Sequence, residues 1–145
     1  MQLRAGGLAF FAPVCSSFVF INRGTARRSI CTPLGDCSLD HVVTGNLLAA
    51  RTALLVMVAT WKMCCWIVEQ PASSLLIDHP RFQELVSLQT VYRHRVCMGW
   101  YGASSLKPTL LCSNARWVSE LDRKTTDVPK NPGVVRTVSG RQAHV

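Results

Sequence analysis

Short apolar runs separated by polar loops divide most of the chain into a few strands and helices. Leu8–Val14 and Cys65–Glu69 are continuous apolar runs, which are typical of strands buried on both faces. Thr90–Met98 alternates in part and predicts a third strand, and Pro108–Cys112 predicts a short fourth one. The apolar stretch Thr44–Met63 predicts a helix between the first two strands.

The order of these elements predicts an α/β fold. Thr44–Met63 is apolar nearly all round, so we expect it to be sandwiched between other elements. Asp78–Val86 and Ala115–Leu121 predict two short helices, the second capped by Asn114. Strands that alternate with helices favour a partial Rossmann-like, mostly parallel sheet of about four strands with flanking helices.

The composition of the chain indicates a domain boundary and a net positive charge. The chain has 145 residues, 48% of them apolar, which is enough for one domain over residues 8–121. Residues 122–145 are polar, basic and interrupted by proline and glycine, and they predict a disordered tail. Sixteen Lys and Arg against eight Asp and Glu give a net charge of +8, which suits a nucleic acid or an anionic surface. A basic nucleic-acid-binding module is therefore one functional alternative.

The N-terminal 22 residues resemble the start of a secretory signal. Arg4 precedes an uncharged apolar run, so a small secreted or membrane-anchored protein is a second alternative. Pro13 interrupts that run and no cleavage site follows it, which favours a buried strand in an intracellular protein. Arg51 and Lys62 interrupt the longer apolar block, so we do not expect a membrane crossing.

The seven cysteines do not predict a metal site. Their number is odd and they include no C-x-x-C pair, which argues against a disulfide framework and a zinc ribbon. Cys31, Cys37 and His41 are the nearest approach to a metal cluster, and their spacing is wrong for the common zinc motifs. We therefore expect reduced thiols and no metal.

Two chemically active side chains follow the first two predicted strands. If those strands are parallel neighbours, Cys15 and Glu69 leave the same edge of the sheet with their backbones roughly 5 Å apart. A thiol and a carboxylate could converge there on one planar ligand, with Cys15 as a nucleophile if its thiolate is stabilised. The alternatives are a packed thiol and a structural carboxylate that binds the backbone of residues 71–74.

A third candidate feature lies on the strand Thr90–Met98. Arg93 and Arg95 are two residues apart, so they share one face of that strand. They could contact nucleic-acid phosphates, or they could simply form a solvated face.

Four short motifs occur in an order that resembles cytosine-5 DNA methyltransferases, and in particular a divergent branch of that family. They are Pro13-x-Cys15, Val68-Glu69-x-Pro71, Tyr101-Gly102 and Lys107-x-Thr109. The resemblance covers about residues 8–121. It implies that Cys15 attacks carbon 6 of a flipped cytosine and that Glu69 holds and protonates ring nitrogen 3. It also implies that Lys107 orients Glu69 or contacts phosphate, and that S-adenosylmethionine donates the methyl group.

The sequence also departs from that family. Val14, Gln70, Ser105 and Thr109 replace residues of its motifs. The glycine-rich strand-turn that binds S-adenosylmethionine, which in the family precedes the Pro-Cys motif, is not found before Leu8. We therefore expect an inactive remnant that needs no cofactor on its own, and not an enzyme.

The resemblance further implies a sheet order and an exposed edge. In the family the strands run four, five, seven, six, with strand one outside strand four. Leu8–Val14 would take the place of strand four and lack that outer neighbour, which leaves an edge open to another chain. The helix Thr44–Met63 would expose apolar surface in the same way.

Overall fold

The computed structural model describes residues 3–103 and 105–122, together with the backbone of residues 135–136 and 142–143. The strands are β1 (Leu8–Phe11), β2 (Cys65–Pro71), β3 (Tyr92–Cys97), β4 (Pro108–Ser113), β5 (Val135–Arg136) and β6 (Gln142–Ala143). The α-helices are α1 (Arg23–Ala26), α2 (Asp40–Trp61) and α3 (Pro80–Leu88). Short 3₁₀ turns cover Phe20–Asn22, Leu76–Asp78, Met98–Tyr101 and Arg116–Leu121. The strands β5 and β6 pair antiparallel, and the rest of the predicted tail beyond Asp122 lies outside the described residues.

The first four strands form one sheet in the order β1-β2-β4-β3. The predicted α/β content is confirmed, but the prediction of a mostly parallel sheet is wrong. Only β1 and β2 pair parallel, whereas β4 pairs antiparallel with both β2 and β3. The cause is the connection 98–107, which is shorter than the dozen or so residues that a parallel crossover needs. β4 therefore turns back along β3 and inserts between it and β2.

The helix α2 connects the parallel pair β1 and β2 and lies against both strands. It begins at Asp40, four residues before the predicted start. The residues that it buries are mostly small: Val42, Ala49, Thr52, Ala53, Val56 and Ala59. Small side chains let the helix axis approach the sheet closely, and they join a core that also contains Trp66, Phe18 and Phe82.

Large apolar side chains cover the opposite side of α2 and remain exposed. We call this surface the outer face of α2, and its residues are Val43, Leu47, Leu54, Leu55, Met57, Val58 and Trp61. Trp61 is 77% exposed and Leu54 60%. The expectation of a sandwiched helix therefore holds for one face only, and the expectation of exposed apolar helix surface is confirmed.

By length and composition, α2 would also satisfy the requirements of a membrane-spanning helix. Its small-residue face, however, belongs to the hydrophobic core. The core helix of a protein outside a membrane meets the same length and composition requirements, so they do not decide between the two.

The other face of the sheet has a smaller core. Ile67, Val96, Leu111 and Val118 pack together there, beneath the 3₁₀ turn Arg116–Leu121. This turn replaces the predicted C-terminal helix, and its N-cap is Ala115.

Asn114 does not cap that turn with its side chain. Instead its amide bridges the neighbouring strand, accepting from the Trp66 backbone N–H at 3.0 Å and donating to the Cys64 carbonyl at 3.1 Å. The side chain thus extends the hydrogen bonding between β2 and β4 beyond the end of β4.

Candidate functional site

The carboxyl ends of β1 and β2 meet at one edge of the sheet, because the two strands pair parallel with Phe11 beside Val68. β1 ends just before Pro13, which has no N–H to continue the ladder. The carbonyl of Cys15 accepts from the N–H groups of Phe18 (2.8 Å) and Val19 (3.2 Å), so Cys15 opens a tight turn. Its half-buried thiol makes no hydrogen bond within the described residues.

Gln70 fastens this turn to the end of β2. Its amide nitrogen donates to the carbonyl of Pro13 at 2.9 Å, and its amide oxygen accepts from the Ser74 hydroxyl at 3.0 Å. The Leu75 N–H adds a third link by donating to the Phe18 carbonyl at 3.0 Å. Gln70 replaces a residue of the family motif and is 5% exposed. Its hydrogen bonds hold the Cys15 turn against the end of β2.

Glu69 points to the other face of the sheet, because successive side chains of a strand alternate. Its carboxylate oxygen lies 3.6 Å from the ammonium of Lys107, which directly precedes β4. The carboxylate side chain is 18% exposed and that of Lys107 is 52% exposed. Glu69 and Lys107, two of the predicted site residues, therefore form an ion pair at the edge of the sheet where β2 ends.

Glu69 does not bind the backbone of residues 71–74, which was the structural alternative for this carboxylate. The described hydrogen bonds of that turn run between other groups, such as the Ser74 N–H and the Pro71 carbonyl. Cys15 and Glu69 leave the same edge of the sheet, but no described hydrogen bond joins them. The polar contact between the two segments runs instead through Gln70.

Arg93 and Arg95 share one face of the edge strand β3, and both are exposed. In register they lie beside Cys112 and Leu110 of β4, and Leu110 lies beside Gln70 of β2. The two arginines are thus on the Gln70 face, whereas the Glu69–Lys107 pair is on the opposite face. Within residues 3–103 and 105–122, neither arginine forms an ion pair.

A buried arginine next to the Cys15 turn was not predicted. Arg28 is 3% exposed and stacks over the Phe18 ring at 3.9 Å. Its guanidinium donates to four acceptors from three segments: Ser17 Oγ, the Pro33 carbonyl, and the Val42 carbonyl and Asn46 Oδ1 of α2. Burial lowers the pKa of Arg28, because the charged form loses water. This arginine joins the Cys15 turn, the loop after α1 and the start of α2.

His79 was interpreted as a turn residue and proves to be 3% exposed. Its Nδ1 accepts from the Arg81 N–H at 3.2 Å and caps α3, and its ring meets Phe18 edge-on. Burial, with smaller contributions from Arg28 and Arg81, lowers the pKa of His79 to about 4. The imidazole is therefore neutral at pH 7, and its Nε2 has no hydrogen-bond partner among the described residues.

A groove of about 380 Å³ separates the turn after Cys15 from the beginning of α2. It is lined by Val14, Ser16, Ser17, His41, Thr44, Gly45 and Leu48. Across the described part of the chain, no three His, Cys, Asp or Glu side chains are placed to hold a metal ion, and Cys31, Cys37 and His41 form no such cluster.

Comparison with known proteins identifies no relative of this chain. No protein-family model, no curated protein and no solved structure matches this chain.

Proposed function

We infer that this chain is a methyltransferase-like remnant that recognises an extruded cytosine edge without transferring a methyl group to it. The observation that carries the proposal is the Glu69–Lys107 ion pair at 3.6 Å, at the edge where Cys15 also emerges. The proposal takes up the motif resemblance, which implies that these residues act together on a cytosine.

The sheet order supports the same interpretation. β1-β2-β4-β3 is the order four, five, seven, six that the resemblance implies, with β1 in the place of strand four. We propose that it derives from a partial Rossmann-like arrangement, with β4 running against its neighbours. Lys107 leads into β4 and Glu69 lies near the end of β2, so insertion of β4 beside β2 is what makes the ion pair possible.

The chemistry of the edge favours binding over catalysis. A cysteine nucleophile needs a neighbouring cation, base or helix N-terminus to stabilise its thiolate. Among the described contacts, the Cys15 thiol has none of these as a hydrogen-bond partner. Glu69 can accept from the exocyclic amine of a cytosine, and Lys107 beside it can contact a phosphate.

The experiment is a titration of the full chain with DNA duplexes that carry one unpaired cytosine or one unpaired thymine. We expect tighter binding of the cytosine duplex and loss of that preference in Glu69→Ala. Glu84→Ala is the matched control, because it breaks an exposed ion pair with Arg81 elsewhere on the surface. An absent preference, or one that Glu69→Ala retains, contradicts the proposal.

A second titration, with S-adenosylmethionine, tests the claim that no methyl is transferred. We expect no saturable heat of binding, either alone or with the cytosine duplex present. Binding with micromolar affinity would contradict an inactive remnant, and Cys15→Ala would then have to be assayed for loss of methyl transfer.

A basic nucleic-acid-binding module is the second candidate, and exposed Arg93 and Arg95 on one face favour it. It predicts DNA binding without a base preference, weakened by salt. A plot of the logarithm of the binding constant against the logarithm of the salt concentration has a slope that each phosphate contact steepens by about 0.9. Replacing both arginines by alanine should therefore make this slope shallower by about 2. Arg116→Ala, another exposed arginine, is the control and should leave the dependence less affected.

A further inference from the structure

Among the residues that the structure describes, the outer edge of β1 carries unpaired backbone groups. The Cys65 N–H donates to the Gly7 carbonyl at 2.9 Å, and β1 continues in parallel register beside β2. In such a ladder alternate residues face the neighbour, so Ala9 and Phe11 bond to β2 while Leu8 and Phe10 direct their N–H and C=O groups outward. β1 is an edge strand of the sheet, and an unpaired edge is a template for another strand.

Apolar side chains are exposed beside this edge. On the face that is away from α2, Leu8 is 56% exposed and Phe10 60%. On the other face, α2 packs on β1 and β2. The exposed side chains of Leu54 and Trp61 are turned towards α3, with which they line grooves, and not towards the β1 edge. The edge of β1 and the apolar side chains of Leu8 and Phe10 thus lack cover together.

What covers this side must supply a strand as well as apolar contacts. A lipid surface could cover the side chains of Leu8 and Phe10, but it offers no ordered partners for their backbone groups. A second copy of this chain offers both. We propose that two copies of the chain associate through antiparallel pairing of their β1 strands, which makes one continuous sheet.

The register of this pairing is two-fold symmetric. With Ala9 on the two-fold axis, Leu8 of one copy pairs with Phe10 of its partner, and Phe10 pairs with the partner's Leu8. These are the residues whose backbone groups point outward, so every outward N–H finds a carbonyl. Leu8 and Phe10 of both copies then form one apolar cluster on the exposed face of the joined sheet. A two-fold contact of this kind closes the dimer and leaves no β1 edge for a third copy.

Charge gives this association a distinctive salt dependence. Each chain carries +8, and two such chains repel one another. Salt screens that repulsion, so we expect the dimer to become stronger as salt rises. Nucleic-acid binding has the opposite salt dependence. The inference does not depend on the proposed function, and either can fail without the other.

The test is sedimentation of the full chain over a range of concentrations on both sides of about 10 μM, at low and high salt. We expect a monomer–dimer equilibrium between the chain mass of 16.0 kDa and twice that mass. Phe10→Lys should shift it to monomer, because it places a charge in the apolar cluster that the two β1 strands share. Leu106→Lys is the matched control, because Leu106 is also 60% exposed but precedes β4, away from β1. A monomer at all concentrations, an assembly larger than a dimer, or a dimer unaffected by Phe10→Lys would overturn the proposal.

Hydrogen exchange then tests whether β1 is the contact. In the monomer the Leu8 and Phe10 amides face solvent, whereas the Ala9 amide is bonded to β2. We expect the amides of Leu8 and Phe10 to become protected as concentration rises, with that of Ala9 protected throughout. A dimer in which the Phe10 amide exchanges as fast as in the monomer would refute pairing through β1.

Discussion

The imidazole of His79 is buried beside Arg28 and Arg81, and this position makes the stability of the chain depend on pH. Burial is the main cause of the lowered pKa of His79, about 4 in the folded chain against 6.5 for an ordinary histidine. Between these two pH values the unfolded chain binds a proton that the folded chain does not. The contribution of His79 to the free energy of unfolding therefore falls as the pH drops from about 6.5 to about 4, and is constant below that range.

The magnitude follows from the two pKa values. Their difference corresponds to about 3 kcal/mol, since a tenfold change in proton affinity is worth about 1.4 kcal/mol. This is a large part of the stability of a small domain, which is about 5–15 kcal/mol. Protonation would place a third cation next to two guanidinium groups, in a site that holds no carboxylate within hydrogen-bond distance of His79 among the described residues.

His79→Asn isolates the effect. Asparagine is a preferred N-cap, so it can accept from the Arg81 N–H as the imidazole does, but it does not titrate. Urea unfolding of both proteins at several pH values from 7 to 4 gives the comparison, in which contributions of carboxylates cancel. We expect the wild-type chain to lose about 3 kcal/mol more than the variant over this range. Parallel stability curves for the two proteins would refute the argument.

Three further predictions concern packing and pairing, each measured by chemical denaturation. Gly45→Ala should lower the free energy of unfolding by about 1–2 kcal/mol, because its new methyl group would meet the Ser17 hydroxyl oxygen in an already filled space. Gly24→Ala meets nothing within 4 Å and should be neutral or stabilising, so equal effects of the two changes would contradict the packing. Asn114→Ala should cost about 2–3 kcal/mol, because it removes both bonds of the bridge to β2, whereas Asn114→Asp keeps the acceptor and should cost less. If the aspartate variant is as unstable as the alanine one, the acceptor is not important. Lys107→Met should change stability by less than about 1 kcal/mol, since the ion pair is largely exposed on the lysine side, and a larger loss would mean that Lys107 is structural.

The strands could be predicted from the local sequence, because their apolar runs end at residues that interrupt the hydrogen bonding of a sheet. The prediction for β2 began at Cys65, where the strand does begin, and it ended two residues before the strand's last residue, Pro71. The position of β4 was not predictable in this way, since alternation along a strand says nothing about which strand lies beside it. The direction of β4 was predictable, because the connection 98–107 is too short for a crossover.

The candidate site was predictable in part. Cys15 and Glu69 come to one edge because β1 and β2 are parallel, and that followed from the helix between them. Arg95 and Glu69 lie on opposite faces of the sheet because of the register in which β4 pairs with β2 and β3. A short sequence pattern does not predict that register. Arg28 left no signal either, because its four acceptors come from three separate segments of the chain.

The insertion of β4 between β2 and β3 has a consequence for folding during synthesis. β3 has no neighbour in the sheet except β4, and β2 has only β1 on its other side. A nascent chain that has emerged as far as Leu106 can form the β1–α2–β2 unit, but its third strand must wait without a partner. Only when residues 108–113 leave the ribosome can the sheet close. The apolar residues of β2 and β3 are thus exposed together from the emergence of β3 until β4 follows, a period in which the unfinished sheet is prone to aggregate.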